Sequence, residues 1–86
     1  MIEEDKVFRD FFDGPRLKEI PANHKRRMVI LKWLANQFEP GVIYKEAQVN
    51  AIIARHHPDF AYFRRSMVDS GLMRRESRKG IYWRVS

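Results

Sequence analysis

The sequence contains no cysteine, which excludes disulfides, zinc knuckles and thiol nucleophiles. No stretch approaches the roughly 20 apolar residues of a membrane span. The opening Met1-Ile2-Glu3-Glu4-Asp5 is acidic and lacks an apolar run, so no signal peptide is expected and a soluble, cytoplasmic protein is. There is no internal repeat and no low-complexity tract. HExxH, a glycine-rich phosphate loop and a supported Ser/His/Asp set are all missing. The three histidines are His24, His56 and His57, and adjacent side chains on a helix diverge by about 100°. His56 therefore reads as a core-edge histidine and His57 as a turn residue. No catalytic residue, metal ligand, cofactor or small-molecule substrate is expected, and the chain is not read as an enzyme.

What is present bounds the answer from the other side. The 86 residues make one domain, 1–86, and 44% hydrophobic with 13% aromatic content is enough for a folded core. A chain of this length buries about 60–65% of its unfolded surface, which leaves little room for a deep pocket. The formal charge is +6, and it is unevenly spread. Residues 1–22 carry net −2, residues 23–54 net +3 and residues 55–86 net +5. Such an asymmetry favours a polyanionic partner.

Periodicity divides the chain into short elements. Asp5 to Phe12 places Val7, Phe8, Phe11 and Phe12 at helical spacing, and Asp13-Gly14-Pro15 ends that helix. Arg16 to Pro21 is a connector, so residues 1–21 form a helix and connector packed on the core. From about Ala22 to Phe38 runs the longest helix, with His24, Met28, Leu31, Leu34, Ala35 and Phe38 on one stripe. Val29, Ile30 and Trp33 lie outside the stripe, which predicts burial on a second side beneath the Phe-rich N-terminal helix. Pro40-Gly41 stops the helix.

Val42-Ile43-Tyr44 is long enough for a small strand. Lys45 to His56 reads as a helix, His57-Pro58-Asp59 as a tight break, and Asp59 to Ser70 as a further helix closed by Gly71. Leu72–Glu76 and Ile81–Val85 are strands joined by Ser77-Arg78-Lys79-Gly80. In the last of them Ile81, Trp83 and Val85 alternate with Tyr82 and Arg84, giving one buried and one exposed face. The expected fold is mainly α with a small antiparallel hairpin (α+β): a winged helix-turn-helix with an extra N-terminal helix.

On the 59–70 helix the 100° step turns Phe60, Phe63, Met67 and Val68 inward, and Tyr62, Arg65, Ser66 and Asp69 outward. Arg65 can reach a phosphate or a guanine edge, while Tyr62 and Ser66 can hydrogen-bond to backbone oxygens. Asp69 opposes DNA at that end. Arg64 falls among the apolar residues, where an ion pair with Glu46 or an N-terminal acid is expected. Arg78 and Lys79 at the hairpin tip are the second candidate contact, since cations there gain from counterion release. Only one of Arg74 and Arg75 can share the tip's face. Lys25-Arg26-Arg27 opposes the dipole of the long helix, which suggests either a bound phosphate or tolerated surface charge.

The chain also resembles a known family. Gly14-Pro15-Arg16-Leu17-Lys18-Glu19-Ile20-Pro21-Ala22, Leu31-Lys32-Trp33-Leu34-Ala35 and Phe38-Glu39-Pro40-Gly41 are similar to the bacterial domain of unknown function 2087. So are Tyr44-Lys45-Glu46 with Val49-Asn50, Phe60-Ala61 with Phe63-Arg64-Arg65, Gly71 to Glu76, and Tyr82-Trp83-Arg84-Val85. The resemblance covers roughly residues 10–86. It implies a bacterial winged-helix-like domain, found alone or fused to helix-turn-helix transcriptional regulators, with no established biochemical activity. Lys45 departs from the family pattern, which tends to Ser or Thr there, and this implies a weaker helix cap.

The resulting expectation is a nucleic-acid-binding module of bacterial transcriptional regulation, with double-stranded DNA as partner and Tyr62, Arg65, Ser66, Arg78 and Lys79 as contacts. The alternative is a winged helix that binds another regulatory protein or a second copy of itself, anchored on Tyr62 and any uncovered aromatic of the N-terminal helix. RNA is a third option, without an aromatic ribonucleoprotein motif to support it.

Overall fold

In the computed structural model, residues 4–85 are described; the start Met1-Ile2-Glu3, from which no signal peptide is read, lies outside the described residues. The order is α1 (Glu4–Phe11), β1 (Phe12–Asp13), β2 (Arg16–Leu17), α2 (His24–Ala35), β3 (Ile43–Lys45), α3 (Glu46–Ala54), α4 (Phe60–Asp69), β4 (Met73–Glu76) and β5 (Ile81–Arg84). The protein is α+β, with four helices, a two-stranded sheet and a three-stranded sheet among the described residues.

The segment expected to be a plain connector is part of a hairpin. Phe12 pairs with Leu17 and Asp13 with Arg16, antiparallel. Gly14 makes the reversal possible by taking φ +59°, a conformation open to glycine at little cost. The hairpin is fastened to the end of α3. Leu17 N–H donates to the His56 carbonyl at 2.8 Å, and Arg16 Nη1 donates to the carbonyls of Ala54 and Arg55 at 3.2 and 3.3 Å. The carbonyls of Ala54 and Arg55 are among those that a helix end leaves without intrahelical partners. His56 is buried, its Nδ1 donating to the Pro15 carbonyl at 2.7 Å. It is the core-edge histidine expected from its position.

Helix α2 starts at His24 because Asn23 caps it, its Oδ1 accepting from Arg26 N–H at 3.1 Å. It ends at Ala35, three residues before the expected Phe38. Gln37 N–H and Phe38 N–H bond three residues back, to Leu34 and Ala35, which tightens the chain out of α geometry. Phe38 is buried nonetheless, whereas His24, expected on the apolar stripe, is exposed. Val29, Ile30, Leu31 and Leu34 are all buried, so α2 is covered on several sides. The cover over its back is aromatic. Trp33 meets Phe12 and His56 edge-on at 4.8 Å each, with Phe8 at 6.3 Å.

Helices α3 and α4 contribute Val49, Ile53, Phe63 and Met67, all fully buried, to the same core. Gly71 closes α4 at φ +80°. Gly71 N–H bonds the Val68 carbonyl at 3.1 Å and Leu72 N–H the Met67 carbonyl at 2.9 Å, the paired bonds of a Schellman end. Phe60, expected inward, is 36% exposed. The rings of His57 and Tyr62 already flank Phe63 at 5.2 and 5.0 Å, so Phe60 is left at the rim of that end of the core.

The larger sheet has the order β3-β5-β4, antiparallel throughout. Partners across strands share a face, so Tyr44, Tyr82, Met73, Arg75 and Arg84 lie on one side and Ile43, Lys45, Ile81, Trp83, Arg74 and Glu76 on the other. The first side faces the helices: Met73 and Tyr82 are buried. Arg84 Nη1 donates to the Phe38 carbonyl at 3.0 Å, and Tyr44 packs edge-on against Phe38 at 5.2 Å. Among the described residues no helix is long and apolar enough to cross a membrane.

Candidate functional site

The site is built on α4, whose position is set from inside and at both ends. Phe63 and Met67 plug the helix into the core, and Asp59 caps it by accepting from Tyr62 N–H at 3.3 Å. This leaves Arg65 exposed, as the helical wheel requires. Tyr62 and Ser66 are half-buried instead of fully outward. The Tyr62 ring packs edge-on against Phe63, and Ser66 takes part in the helix end, its carbonyl accepting from Ser70 Oγ at 2.6 Å.

Arg64 has the structural position expected of it. Its Nη1 donates to Asn50 Oδ1, and its Nε lies 3.9 Å from Glu46 Oε1. Tyr82 Oη donates to the same Glu46 oxygen at 3.0 Å. One acidic residue at the start of α3 thus ties α4 to β5 through Arg64 and Tyr82. The Arg64–Glu46 gap is too long for a hydrogen bond, and the buried Nε has no hydrogen-bond partner.

Where α4 meets the hairpin there is a small cleft of about 110 Å³, lined by Arg64, Arg65, Val68, Asp69, Arg75 and Tyr82. Arg64 is countered by Glu46, so Arg65 and Arg75 against Asp69 leave the cleft with a net positive charge. Arg75 is the hairpin cation that joins Arg65 here, and it was not among the expected contacts. Its register partner Tyr82 faces inward, so Arg75 shares that face, whereas Arg74 pairs with Trp83 on the other. Sequence alternation restricts the choice to one of the two arginines; only the pairing with Tyr82 selects Arg75.

The hairpin tip lies apart from this cleft. Arg78 and Lys79 are both exposed, and the turn is closed by Arg78 N–H donating to Glu76 Oε1 at 3.3 Å and Lys79 N–H to the Glu76 carbonyl at 3.2 Å. Lys79, however, lines a separate, shallow concavity of about 410 Å³ on the outer face of the sheet, with Ile43, Ile81 and Trp83. Arg65 and Lys79 therefore face different clefts. At the start of α2, Arg27 Nη1 turns back to the carbonyls of Pro21 and Ala22 at 3.3 and 3.1 Å, so this cation holds the connector. Among the described residues no three His, Asp or Glu side chains are grouped as a metal site requires.

No curated protein matches the chain, and neither does any solved structure. The family model described as an uncharacterized protein conserved in bacteria (DUF2087) matches residues 16–84, from the N-terminal hairpin to the last strand, and the chain belongs to that family.

Proposed function

We propose that this protein is a winged helix-turn-helix module that binds double-stranded DNA in bacterial transcriptional regulation. The observation that carries the reading is the convergence of Arg65 and Arg75 in one cleft between α4 and β4. The order α2-β3-α3-α4-β4-β5, with β3 completing the sheet beside β5, supports it. In this reading α3 and α4 are the helix pair, α4 enters the major groove, the β4–β5 hairpin is the wing, and α1 with the small hairpin is an addition. Arg65 and Arg75 contact the DNA backbone, while Arg64, held by Asn50 and Glu46, positions α4. Tyr62 and Ser66 flank Arg65 on the groove side, and Arg78 reaches phosphates beyond the site. Lys79 contributes mainly to the long-range field.

The test is fluorescence anisotropy with a random duplex at about 50 mM salt, where phosphate binding is strong, repeated as salt is raised. Micromolar binding that weakens with salt is expected. Arg65→Glu and Arg75→Glu should each weaken it about tenfold and lower the salt slope by about 1, with a smaller effect from Arg78→Glu. No binding by the wild-type chain at low salt overturns the proposal.

A second reading, a winged helix that pairs with another protein or with itself, has one observation of its own. The outer sheet face carries Ile43 at 63% and Val85 at 40% exposure beside Trp83. This face replaces the anchors expected from sequence, since Tyr62, Phe8 and Phe11 are half-buried and Phe12 is buried. A solution mass near twice 10.4 kDa, with no DNA binding, favours this reading.

A further inference from the structure

We propose that the cleft between α1 and α2 binds a small organic carboxylate whose body is an aromatic ring or a short acyl chain. The cleft has a volume of about 450 Å³, within the range of about 300–1,000 Å³ typical of small-molecule sites. Its floor is apolar, made by Phe8 from α1 and by Met28 and Trp33 from α2, all half-buried. Its rim is cationic, made by Lys25 and Lys32 with His24 beside them, all exposed. Among the described residues no acidic side chain lines it.

Three features fit this ligand class. Lys25 and Lys32 are seven residues apart on α2, hence on the same side of the helix and about 10 Å apart along its axis. An anionic head can be met by either ammonium, or lie between them, while the body rests on the floor. The described ion pairs are Arg9–Asp10 and Arg64–Glu46, so among the described residues no carboxylate neutralises either lysine. Trp33 is also a fixed wall, because Phe12 and His56 meet its ring edge-on at 4.8 Å. A rigid aromatic surface costs a ligand little ordering energy. A nucleic-acid backbone matches the rim but has no apolar body for the floor, and a neutral hydrocarbon matches only the floor. The inference does not depend on DNA binding, which is assigned to α4 and the hairpin.

The test is an NMR titration of the ¹⁵N-labelled full chain with 1-naphthoate, using 1-naphthylmethanol and acetate as controls. The indole N–H signals of Trp33 and Trp83 give site and internal reference, since Trp83 lies on the outer face of the sheet. Saturable shifts of Trp33 and of amides 24–36 at sub-millimolar 1-naphthoate are expected, with Trp83 unmoved. The neutral alcohol should bind at least about tenfold more weakly, and acetate alone should produce no saturable shift. The double variant Lys25→Gln/Lys32→Gln alters exposed side chains only and should also weaken naphthoate binding about tenfold. The proposal is overturned if Trp33 does not respond at millimolar 1-naphthoate. It is equally overturned if the alcohol binds as tightly as the carboxylate, or if the double variant binds as well as the wild type.

Discussion

On the inner face of the β3-β5-β4 sheet, Met73 and Tyr82 are closed off by the helices, and Arg84 is held to the Phe38 carbonyl. On the outer face of the same strands, Ile43 and Trp83 line an open concavity, with Lys79 at its edge. Both faces mix apolar and charged side chains, so composition does not separate them. What separates them is packing against the helices: the polar groups drawn into it, Tyr82 and Arg84, have partners, whereas Arg75 on the same side stays exposed. The inner arginine and tyrosine end on a carbonyl and a carboxylate, and this makes their burial tolerable. The same distinction divides two neighbours on α4: Arg64 ends on Asn50 and Glu46, and Arg65 ends in solvent. Charge count therefore overstates what is available to a partner, and position in the packing corrects it.

The comparison is broken most directly by truncating one residue from each face. Met73→Ala should cost about 2–5 kcal/mol in urea denaturation, the range for opening a cavity in a packed core. Ile43→Ala should stay within about 0.5 kcal/mol, as for an exposed position. Comparable losses at the two sites would mean that the outer face is covered in solution, and the assignment of faces would fail. The pair on α4 gives a smaller contrast. Arg64→Ala should destabilise by about 1–3 kcal/mol by removing the hydrogen bond to half-buried Asn50 and the packing of the Arg64 stem, whereas Arg65→Ala should be neutral for folding. If DNA binding is as proposed, Arg65→Ala weakens it while leaving the unfolding midpoint in place. The smallest effect has the opposite sign. Lys45 sits at the cap of α3 with extended backbone and no side-chain acceptor, and only Gln48 reaches back, accepting from Lys45 N–H at 2.8 Å. Lys45→Ser should raise stability by about 0.5–1 kcal/mol, and a lowered melting temperature would show that the Lys45 stem matters more than the missing cap.

Much of the architecture was legible because strong local signals coincide with it. Asp59 and Gly71 mark where α4 starts and stops, each acting through its own backbone geometry, whereas Pro40-Gly41 lies beyond the end of α2 at Ala35. The four-residue tip Ser77–Gly80 and the alternation in β5 located the C-terminal hairpin. The N-terminal hairpin was not legible, because two-residue strands carry no periodicity and their hydrogen bonds go to residues near 56, far along the chain. At the site, exposed Arg65 followed from a single helix wheel. Arg75 did not, because its place depends on strand register against Tyr82. Tyr62 and Ser66 were assigned outward by angle alone; both are half-buried, Tyr62 through its packing against Phe63.

The sequence by itself determined the four helices, the three strands of the larger sheet and their order, the strongly positive final third and the family to which the chain belongs. Those follow from residue types and short spacings, which act within one turn or one strand. Only the tertiary structure decided which face of β5 turns inward, which of Arg74 and Arg75 stands beside Arg65, and that Lys79 belongs to a different cleft. It also decided that Phe8 and Trp33 enclose a basic-rimmed cleft. These are contacts between residues distant in the chain, and they are fixed by how each buried polar group finds a partner when the elements pack.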